Sequence, residues 1–210
     1  MPESLNASLI DRVPVIPVVV LDEVAHAVPV ARALVDGGVP VIELTLRTPV
    51  ALDCIEQIAT HVPDILVGAG TIVAPDQAKD ALSAGAQFLV SPGTTDDLAA
   101  AMQETGLPHL PGAATVSEVI RLLELGYREL KFFPAEASGG TAFLKAVGGP
   151  LPQARFCPTG GITPDSAPSY LSLANVGCVG GSWLTPADAI AEGDWARISR
   201  LAAESTYLAA

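Results

Sequence analysis

A lysine stands inside a segment that the sequence predicts to be a buried strand. Lys131 lies in the run ELKFFPA, residues 129–135, between Leu130 and the pair Phe132 and Phe133. Burial removes hydration from an ammonium group, so lysine is among the residues least often found in a core. A neutral lysine amine that is kept from water can attack the carbonyl carbon of a ketone and form an imine. Lys131 is therefore the leading candidate for a Schiff-base nucleophile.

A second predicted strand brings acidic and basic groups to one face. In the run IELTLRT, Glu43, Thr45 and Arg47 occupy alternate positions, and the residues between them are isoleucine and leucine. Side chains alternate between the two faces of a strand, so we expect these three residues to share the inward face, as Lys131 does on its own strand. The same charges also suit a structural ion-pair network, and these residues alone leave that alternative open.

Taken together, these groups suit catalysis on a 2-oxo acid. Lys131 would form the imine, which withdraws electrons from a nearby carbon–carbon bond, and Glu43 would move protons as general base and acid. Arg47, aided by Thr71 at the end of the third predicted strand, would hold the carboxylate, because a planar guanidinium matches its two oxygens. The predicted reaction is carbon–carbon cleavage.

The elements that must position these residues repeat along the chain. Runs of β-branched residues alternate with Ala- and Leu-rich segments, which is typical of βα units around a parallel sheet. We expect the α/β class and one (β/α)8 TIM-barrel domain over residues 1–210, beginning with a short helix at about residues 4–11. An open doubly wound sheet is the alternative, but no GxGxxG fingerprint follows the first strand. The predicted strands are residues 14–20, 40–46, 64–71, 86–93, 108–113, 129–135, 155–161 and 176–183.

Two glycine-rich strand ends predict a phosphate site. PTGGI at 158–162 and VGGSW at 179–183 close the seventh and eighth predicted strands, where barrel enzymes commonly hold phosphate. Glycine lets the backbone approach a ligand closely, and a following helix N-terminus offers unpaired N–H groups. Such donors need no net positive charge on the protein. The expected donors are Gly160, Gly161, Gly181 and Ser182.

Composition argues against several classes of partner. A net charge of -12, with only 11 Lys and Arg scattered along the chain, is unsuited to nucleic acid or an anionic membrane surface. The apolar run at 13–21 is too short to span a bilayer and contains prolines, and no basic signal-peptide region precedes it. Cys54, Cys157 and Cys178 form no CxxC pair, as expected of buried thiols in a reducing compartment. These features predict a cytoplasmic protein.

The runs ELTLRT, VGAGT, SPG, KFFPAE, FCPTGGI and GGSW, in this order and spacing, resemble the 2-keto-3-deoxy-6-phosphogluconate (KDPG) aldolases. Many members of that family also act on 4-hydroxy-2-oxoglutarate. The resemblance covers nearly the whole chain and implies a class I aldolase that cleaves KDPG to pyruvate and glyceraldehyde 3-phosphate, and 4-hydroxy-2-oxoglutarate to pyruvate and glyoxylate. It further implies a homotrimer, a place in the Entner–Doudoroff pathway, and no metal or other cofactor.

The resemblance also implies roles for individual residues. Lys131 corresponds to the Schiff-base lysine and Glu43 to the general acid/base. The run AEASGG at 135–140 replaces the commoner AEANGG or AEAAGG, and its Glu136, a loop residue past Pro134, is interpreted from that position as a support of the strand end. The pyruvate end would contact Arg47, Thr71, Pro92 and Phe133. The rest of the substrate and its phosphate would contact Thr159, Gly160, Gly161 and Ser182.

Two further classes of function compete with this prediction. A metal-dependent pyruvate aldolase would need carboxylates or histidines around a divalent ion, but His26, His61 and His109 are far apart in the sequence. A barrel that binds phosphate without catalysis, or a related decarboxylase, would use the same glycine loops, because a fold alone implies no reaction. The expected register of Lys131 with Glu43 favours a Schiff-base aldolase over this second class.

Overall fold

The computed structural model describes residues 8–208, in which strands and helices alternate. The strands are β1 (Val15–Val19), β2 (Val41–Thr45), β3 (Leu66–Gly70), β4 (Phe88–Val90), β5 (His109–Leu110), β6 (Gly112–Ala113), β7 (Glu129–Phe132), β8 (Arg155–Pro158) and β9 (Val179–Gly181). The α-helices are α1 (Ala27–Asp36), α2 (Ala51–His61), α3 (Pro75–Ser83), α4 (Asp96–Glu104), α5 (Val116–Glu124), α6 (Gly140–Gly148), α7 (Ala167–Leu171), α8 (Ala187–Glu192) and α9 (Trp195–Ser205). Short 3-10 turns cover Leu9–Asp11 and Val24–His26.

The predicted N-terminal helix is only partly within the described range. Leu9–Asp11 forms a single 3-10 turn with Leu9 and Ile10 buried, whereas residues 4–7 of the prediction lie outside the described residues. Between residues 8 and 208, no helix is both long enough and apolar enough to cross a bilayer.

The strands form parallel sheets, which confirms the α/β class. A six-stranded sheet has the order β5-β4-β3-β2-β1-β9, and a three-stranded sheet has the order β6-β7-β8. All pairs of neighbouring strands in both sheets are parallel. Single parallel bridges, Phe156 to Val176 and Thr159 to Gly180, connect the second sheet to the region of β9.

The fifth predicted strand differs from expectation because it is divided at Pro111. Its first half, β5, pairs with β4, and its second half, β6, pairs with β7. Proline has no N–H to donate to a ladder, so a change of partner is favoured at this residue. The carbonyl of Pro111 accepts a hydrogen bond from the Lys131 N–H at 3.0 Å. The predicted ring of eight strands is therefore assigned as two sheets that meet at Pro111.

The outer face of β7 packs as the alternation predicts. Leu130 and Phe132 are fully buried. The Phe132 ring stacks on Phe143 of α6 with the ring centroids 4.7 Å apart, and it meets Phe156 of β8 edge to face. Aromatic pairs in these geometries stabilise a core beyond their buried area. Since neighbouring side chains on a strand point to opposite faces, Lys131 points away from this helix-packed layer.

Several helices begin at side chains that satisfy free backbone N–H groups. Thr95 accepts a hydrogen bond from Leu98 at the start of α4, and Asp194 accepts one from Arg197 at the start of α9. Before α5, Thr115 and Glu118 form a reciprocal capping box. Such caps typically contribute about 1 kcal/mol each, and they define where these helices begin.

Candidate active site

The lysine and the glutamate singled out in the sequence are in contact. Nζ of Lys131 donates a hydrogen bond to Oε1 of Glu43 at 3.0 Å, although the residues are 88 positions apart. Their side chains are only 6% and 3% exposed. Lys131 is on β7 of the three-stranded sheet and Glu43 is on β2 of the six-stranded sheet. The contact therefore joins the two sheets across the interior.

A glycine provides the space that Glu43 occupies. Gly70 ends β3 and pairs with Thr45 of β2. A Cβ atom added to Gly70 would overlap Oε1, Cγ and Cδ of Glu43. Position 70 in the run VGAGT must therefore be glycine for steric reasons. The sequence alone does not reveal this, because glycine is common at strand ends.

A second small residue adjoins Lys131. Gly112 on β6 is the register partner of Lys131, and a Cβ added there would overlap the carbonyl group of Pro92. The Gly112 N–H donates to Ser91 Oγ at 3.2 Å, and the hydroxyl of Thr94 donates to the Gly112 carbonyl at 3.2 Å. Ser91 and Thr94 therefore link the end of β4 to the strand beside Lys131. Neither residue was predicted from the sequence, although the SPGTT run offered the signal of hydroxyl side chains around a turn.

An aromatic ring connects the lysine to an open cavity. Nζ of Lys131 lies 5.7 Å from the centroid of the Phe133 ring, within the range of a cation–π attraction. Phe133 is half-buried and also lines a cavity of about 200 Å³. The cavity lining contains seven of the predicted site residues, namely Arg47, Phe133, Thr159, Gly160, Gly161, Gly181 and Ser182.

The backbone of this cavity suits an anion. Gly160 and Gly161 have φ angles of 102° and 80°, a left-handed conformation that glycine adopts without steric penalty. Successive backbone N–H groups in a turn can form a concave site for an anion. The exposed Arg47 adds a guanidinium to the same lining. The cavity therefore combines backbone donors with a positive charge.

Arg47 reaches this cavity from a turn. β2 ends at Thr45, so the alternation that put Arg47 on the face of Glu43 does not extend to it. Thr45 donates its hydroxyl to the Val19 carbonyl at 3.0 Å, and Thr48 donates its hydroxyl to the Leu21 carbonyl at 2.7 Å. These two hydrogen bonds attach the turn that carries Arg47 to the end of β1.

The remaining predicted contacts lie at two other strand ends. Thr71 directly follows β3 and Pro92 follows β4, and both are half-buried. Neither residue is in the lining of the 200 Å³ cavity. Thr71 has a φ of 61°, which is an outlier for a β-branched residue and requires support from its surroundings. Backbone strain of this kind clusters at functional sites.

Comparison with known proteins identifies the family. A family model described as KDPG and KHG aldolase matches residues 7–201. The chain belongs to this family. A 2-dehydro-3-deoxy-phosphogluconate aldolase from Pseudoalteromonas atlantica is 52% identical over 197 residues, covering 94% of this chain and 92% of the relative. A KHG/KDPG aldolase from Escherichia coli is 52% identical over 198 residues, covering 94% and 93%.

A solved structure of the family is similar over the same extent. It is KDPG aldolase from Legionella pneumophila with pyruvate captured at low pH as a covalent carbinolamine intermediate. Its TM-score is 0.92 at 47% identity, with 94% of this chain and 96% of that chain covered. The protein is therefore an aldolase by family, and in the candidate site the Lys131–Glu43 pair is where an amine and an acid meet.

The histidines of this aldolase contact backbone carbonyls and aromatic side chains, and His26 packs against the Trp195 ring. Nδ1 of His109 lies 2.8 Å from the Leu107 carbonyl, and Nε2 lies 2.6 Å from the Tyr127 hydroxyl. His61 contacts the Gln57 carbonyl of its own helix. Within residues 8–208, no cluster of three or more His, Cys, Asp or Glu side chains has the proximity needed to bind a metal ion.

Proposed function

We propose that this protein is a class I aldolase that cleaves KDPG to pyruvate and glyceraldehyde 3-phosphate through a Schiff base on Lys131. The observation that carries the proposal is the buried contact of 3.0 Å between Lys131 and Glu43. Two further findings support it: relatives at 52% identity have aldolase names, and the Legionella pneumophila aldolase holds pyruvate as a covalent carbinolamine.

The chemistry uses one amine and one carboxylate. Lys131 Nζ attacks C2 of the 2-oxo acid, and loss of water from the carbinolamine gives an iminium. Glu43 accepts the proton of the C4 hydroxyl as the C3–C4 bond breaks, and the bond's electron pair passes into the iminium to give an enamine. The aldehyde leaves, C3 is protonated, and one water hydrolyses the imine to release pyruvate. The water lost at the start balances the water used at the end.

The two ends of the substrate are assigned to different groups. At the pyruvate end, Arg47 and Thr71 hold the carboxylate, while Pro92 and Phe133 line the site. Arg47 lines the same cavity as the glycine loops, so its assignment needs a test that uses pyruvate alone. The phosphate is assigned to Thr159, Gly160, Gly161, Gly181 and Ser182.

A second substrate has a specific observation in its favour. The Escherichia coli relative is named as both a KHG and a KDPG aldolase. The compound 4-hydroxy-2-oxoglutarate has the same 2-oxo acid end as KDPG, but it is one carbon shorter and has no phosphate. It would therefore use the same Lys131 and Glu43 chemistry and give pyruvate and glyoxylate.

We further propose that the two sheets are parts of one closed (β/α)8 barrel in a single domain over residues 1–210. Three observations support closure: the change of partners at Pro111, the bridges beside β9, and the Lys131–Glu43 contact between the sheets. The homotrimer and the Entner–Doudoroff pathway are supported by resemblance to the family. A cytoplasmic location is supported by the free thiols of the three buried cysteines.

Borohydride trapping tests the proposal. The protein is treated with borohydride in the presence of pyruvate, and its peptides are analysed by mass spectrometry. We expect a pyruvate adduct on the peptide that contains Lys131, and none on the peptide that contains the exposed Lys145 of α6. The Lys131→Met variant should not be trapped. Activity that a chelator abolishes, with no adduct on Lys131, would overturn the mechanism.

A further inference from the structure

We propose that Glu136 and Tyr170 form a positioning pair that holds the glycine loop, residues 159–161, in the conformation that binds the phosphate end of the substrate. This inference rests on the proposed function, which assigns no role to Glu136 or Tyr170. The hydroxyl of Tyr170 donates to Oε1 of Glu136 at 2.5 Å. Tyr170 is on α7, which follows the glycine loop, and Glu136 is in the segment that follows the strand of Lys131.

Glu136 also contacts the loop with its backbone and its methylene groups. Its N–H donates to the Gly160 carbonyl at 3.1 Å, and the neighbouring Ala135 N–H donates to the Thr159 carbonyl at 2.8 Å. A Cβ atom added to Gly161 would lie 2.8 Å from both Cβ and Cγ of Glu136. The loop is therefore packed against Glu136 at two consecutive glycines.

The AEASGG run provides the space in which the pair meets. Gly140 has a φ of 56°, and a Cβ added there would lie 3.1 Å from the Tyr170 hydroxyl and 3.8 Å from Oε2 of Glu136. The Gly140 N–H donates to the Ala135 carbonyl at 2.9 Å, which folds the run back over Glu136. One short segment thus supplies both the acceptor carboxylate and the gap that the tyrosine hydroxyl fills.

Charge indicates that the pair acts through the loop. A carboxylate near a phosphate is repulsive, and the chain already has a net charge of -12. Neither Glu136 nor Tyr170 is in the cavity lining, whereas Gly160 and Gly161 are. Burial, followed by the hydrogen bond and the negative charge of Glu136, raises the pKa of Tyr170, so the hydroxyl keeps its proton and remains a donor. A hydrogen bond from this donor to a carboxylate is of the stronger, charge-assisted kind.

The pair should therefore affect one end of the substrate. Loop amides that are turned away from the phosphate lose its hydrogen bonds, while the Lys131–Glu43 contact is made by other strands. We expect Glu136→Ala and Tyr170→Phe to raise KM for KDPG about tenfold, equivalent to about 1.4 kcal/mol. The kcat and KM for 4-hydroxy-2-oxoglutarate, which has no phosphate, should change less than twofold.

A conservative variant separates positioning from charge. In Glu136→Gln the amide oxygen can still accept the Tyr170 hydroxyl, so KM for KDPG should return close to the wild-type value. Inorganic phosphate, titrated into each variant by calorimetry, should bind about tenfold more weakly to Glu136→Ala and normally to Glu136→Gln. Tighter phosphate binding by Glu136→Gln would mean that repulsion dominates, and the proposal would then be wrong.

Matched controls and a trapping assay complete the experiment. Tyr207→Phe and Glu56→Gln alter an exposed tyrosine and an exposed glutamate, and both should leave phosphate binding unchanged. Each variant is also trapped with pyruvate and borohydride, and labelling of Lys131 should equal that of the wild type. An equal rise of KM for both substrates, or weaker labelling of Lys131, would mean that the pair stabilises the fold in general, and the inference would then be wrong. Absence of labelling in the wild type would overturn the proposed function instead, and calorimetry with inorganic phosphate would still test the pair.

Discussion

Gly70 lies so close to Glu43 that any side chain at position 70 would overlap the glutamate carboxylate. Glu43 is the residue whose Oε1 accepts the hydrogen bond from Lys131. The position of the Glu43 carboxylate thus requires a glycine in the neighbouring strand, although glycine itself has no titratable group.

We expect Gly70→Ala to displace Glu43 from Lys131 and to lower kcat by about two orders of magnitude, the effect of losing a positioned acid/base. The added methyl group should also destabilise the fold by about 1–3 kcal/mol, as overpacking does. Steady-state kinetics and urea unfolding measure the two effects. Gly149→Ala is the control, because the nearest atom to its added Cβ is a carbonyl oxygen 4.0 Å away. Normal kcat in Gly70→Ala would contradict the proposed role of Glu43.

The sequence was sufficient to predict the Lys131–Glu43 pair, because the two-residue period of a strand places alternate side chains on one face. The same period does not extend to Arg47. Alternation does not reveal where a strand ends, and β2 ends at Thr45, where side-chain hydrogen bonds to β1 begin the turn. That end depends on a neighbouring strand and not on local pattern.

Two other features required the three-dimensional structure. The sequence contains Pro111 within the fifth predicted strand, but it does not show that the strand divides there. The division depends on the pairing of one half with β4 and of the other half with β7. The Glu136–Tyr170 hydrogen bond joins residues 34 positions apart, and neither lies in a periodic pattern that would bring them together. Glu136 was interpreted as a support of the strand end, and its contacts extend that support to the glycine loop.

The buried ion pair can be tested as a structural element. We expect Lys131→Met alone to destabilise the fold by about 3–5 kcal/mol, because it leaves the Glu43 carboxylate buried without its partner. The double variant Lys131→Met with Glu43→Leu should recover most of that loss, since apolar residues of similar volume often replace a buried pair without penalty. Urea unfolding gives both values.

The activity of the same double variant separates structure from catalysis. It should be folded and inactive, and pyruvate trapping should be absent. A matched surface pair, Arg197→Ala with Asp188→Ala, removes an ion pair that is far more exposed, and it should change stability by less than about 1 kcal/mol. Aldolase activity in the folded double variant would contradict the Schiff-base mechanism.

His109 should make stability depend on pH. Burial lowers the pKa of His109, and the hydrogen bond to the Leu107 carbonyl opposes this in part. The pKa in the folded state is therefore below the unfolded value of 6.5, so the stabilisation is complete above pH 6.5 and is lost as pH falls towards the folded pKa. We expect His109→Gln to flatten the decline of the unfolding free energy as pH falls below 6.5. Urea unfolding at a series of pH values measures the slope, and the exposed His61→Gln variant is the control. An unchanged slope in His109→Gln would rule out this contribution.

Arg47 lies in the lining that also contains the glycine loops, so its proposed contact with the pyruvate carboxylate needs a substrate without phosphate. The exchange of pyruvate C3 protons with deuterated water reports enamine formation on Lys131 and can be followed by NMR. We expect Arg47→Ala to raise KM for pyruvate in this exchange by about 10–100-fold, the value of a hydrogen bond to a charged group. Arg47→Lys should recover only part of the loss, because an ammonium keeps the charge and lacks the planar fork of donors. Arg200→Ala changes an exposed arginine of α9 and should exchange normally. If Arg47→Ala instead exchanges pyruvate normally and binds inorganic phosphate weakly, the guanidinium serves the phosphate end, and the carboxylate must be held by the Thr71 side of the site.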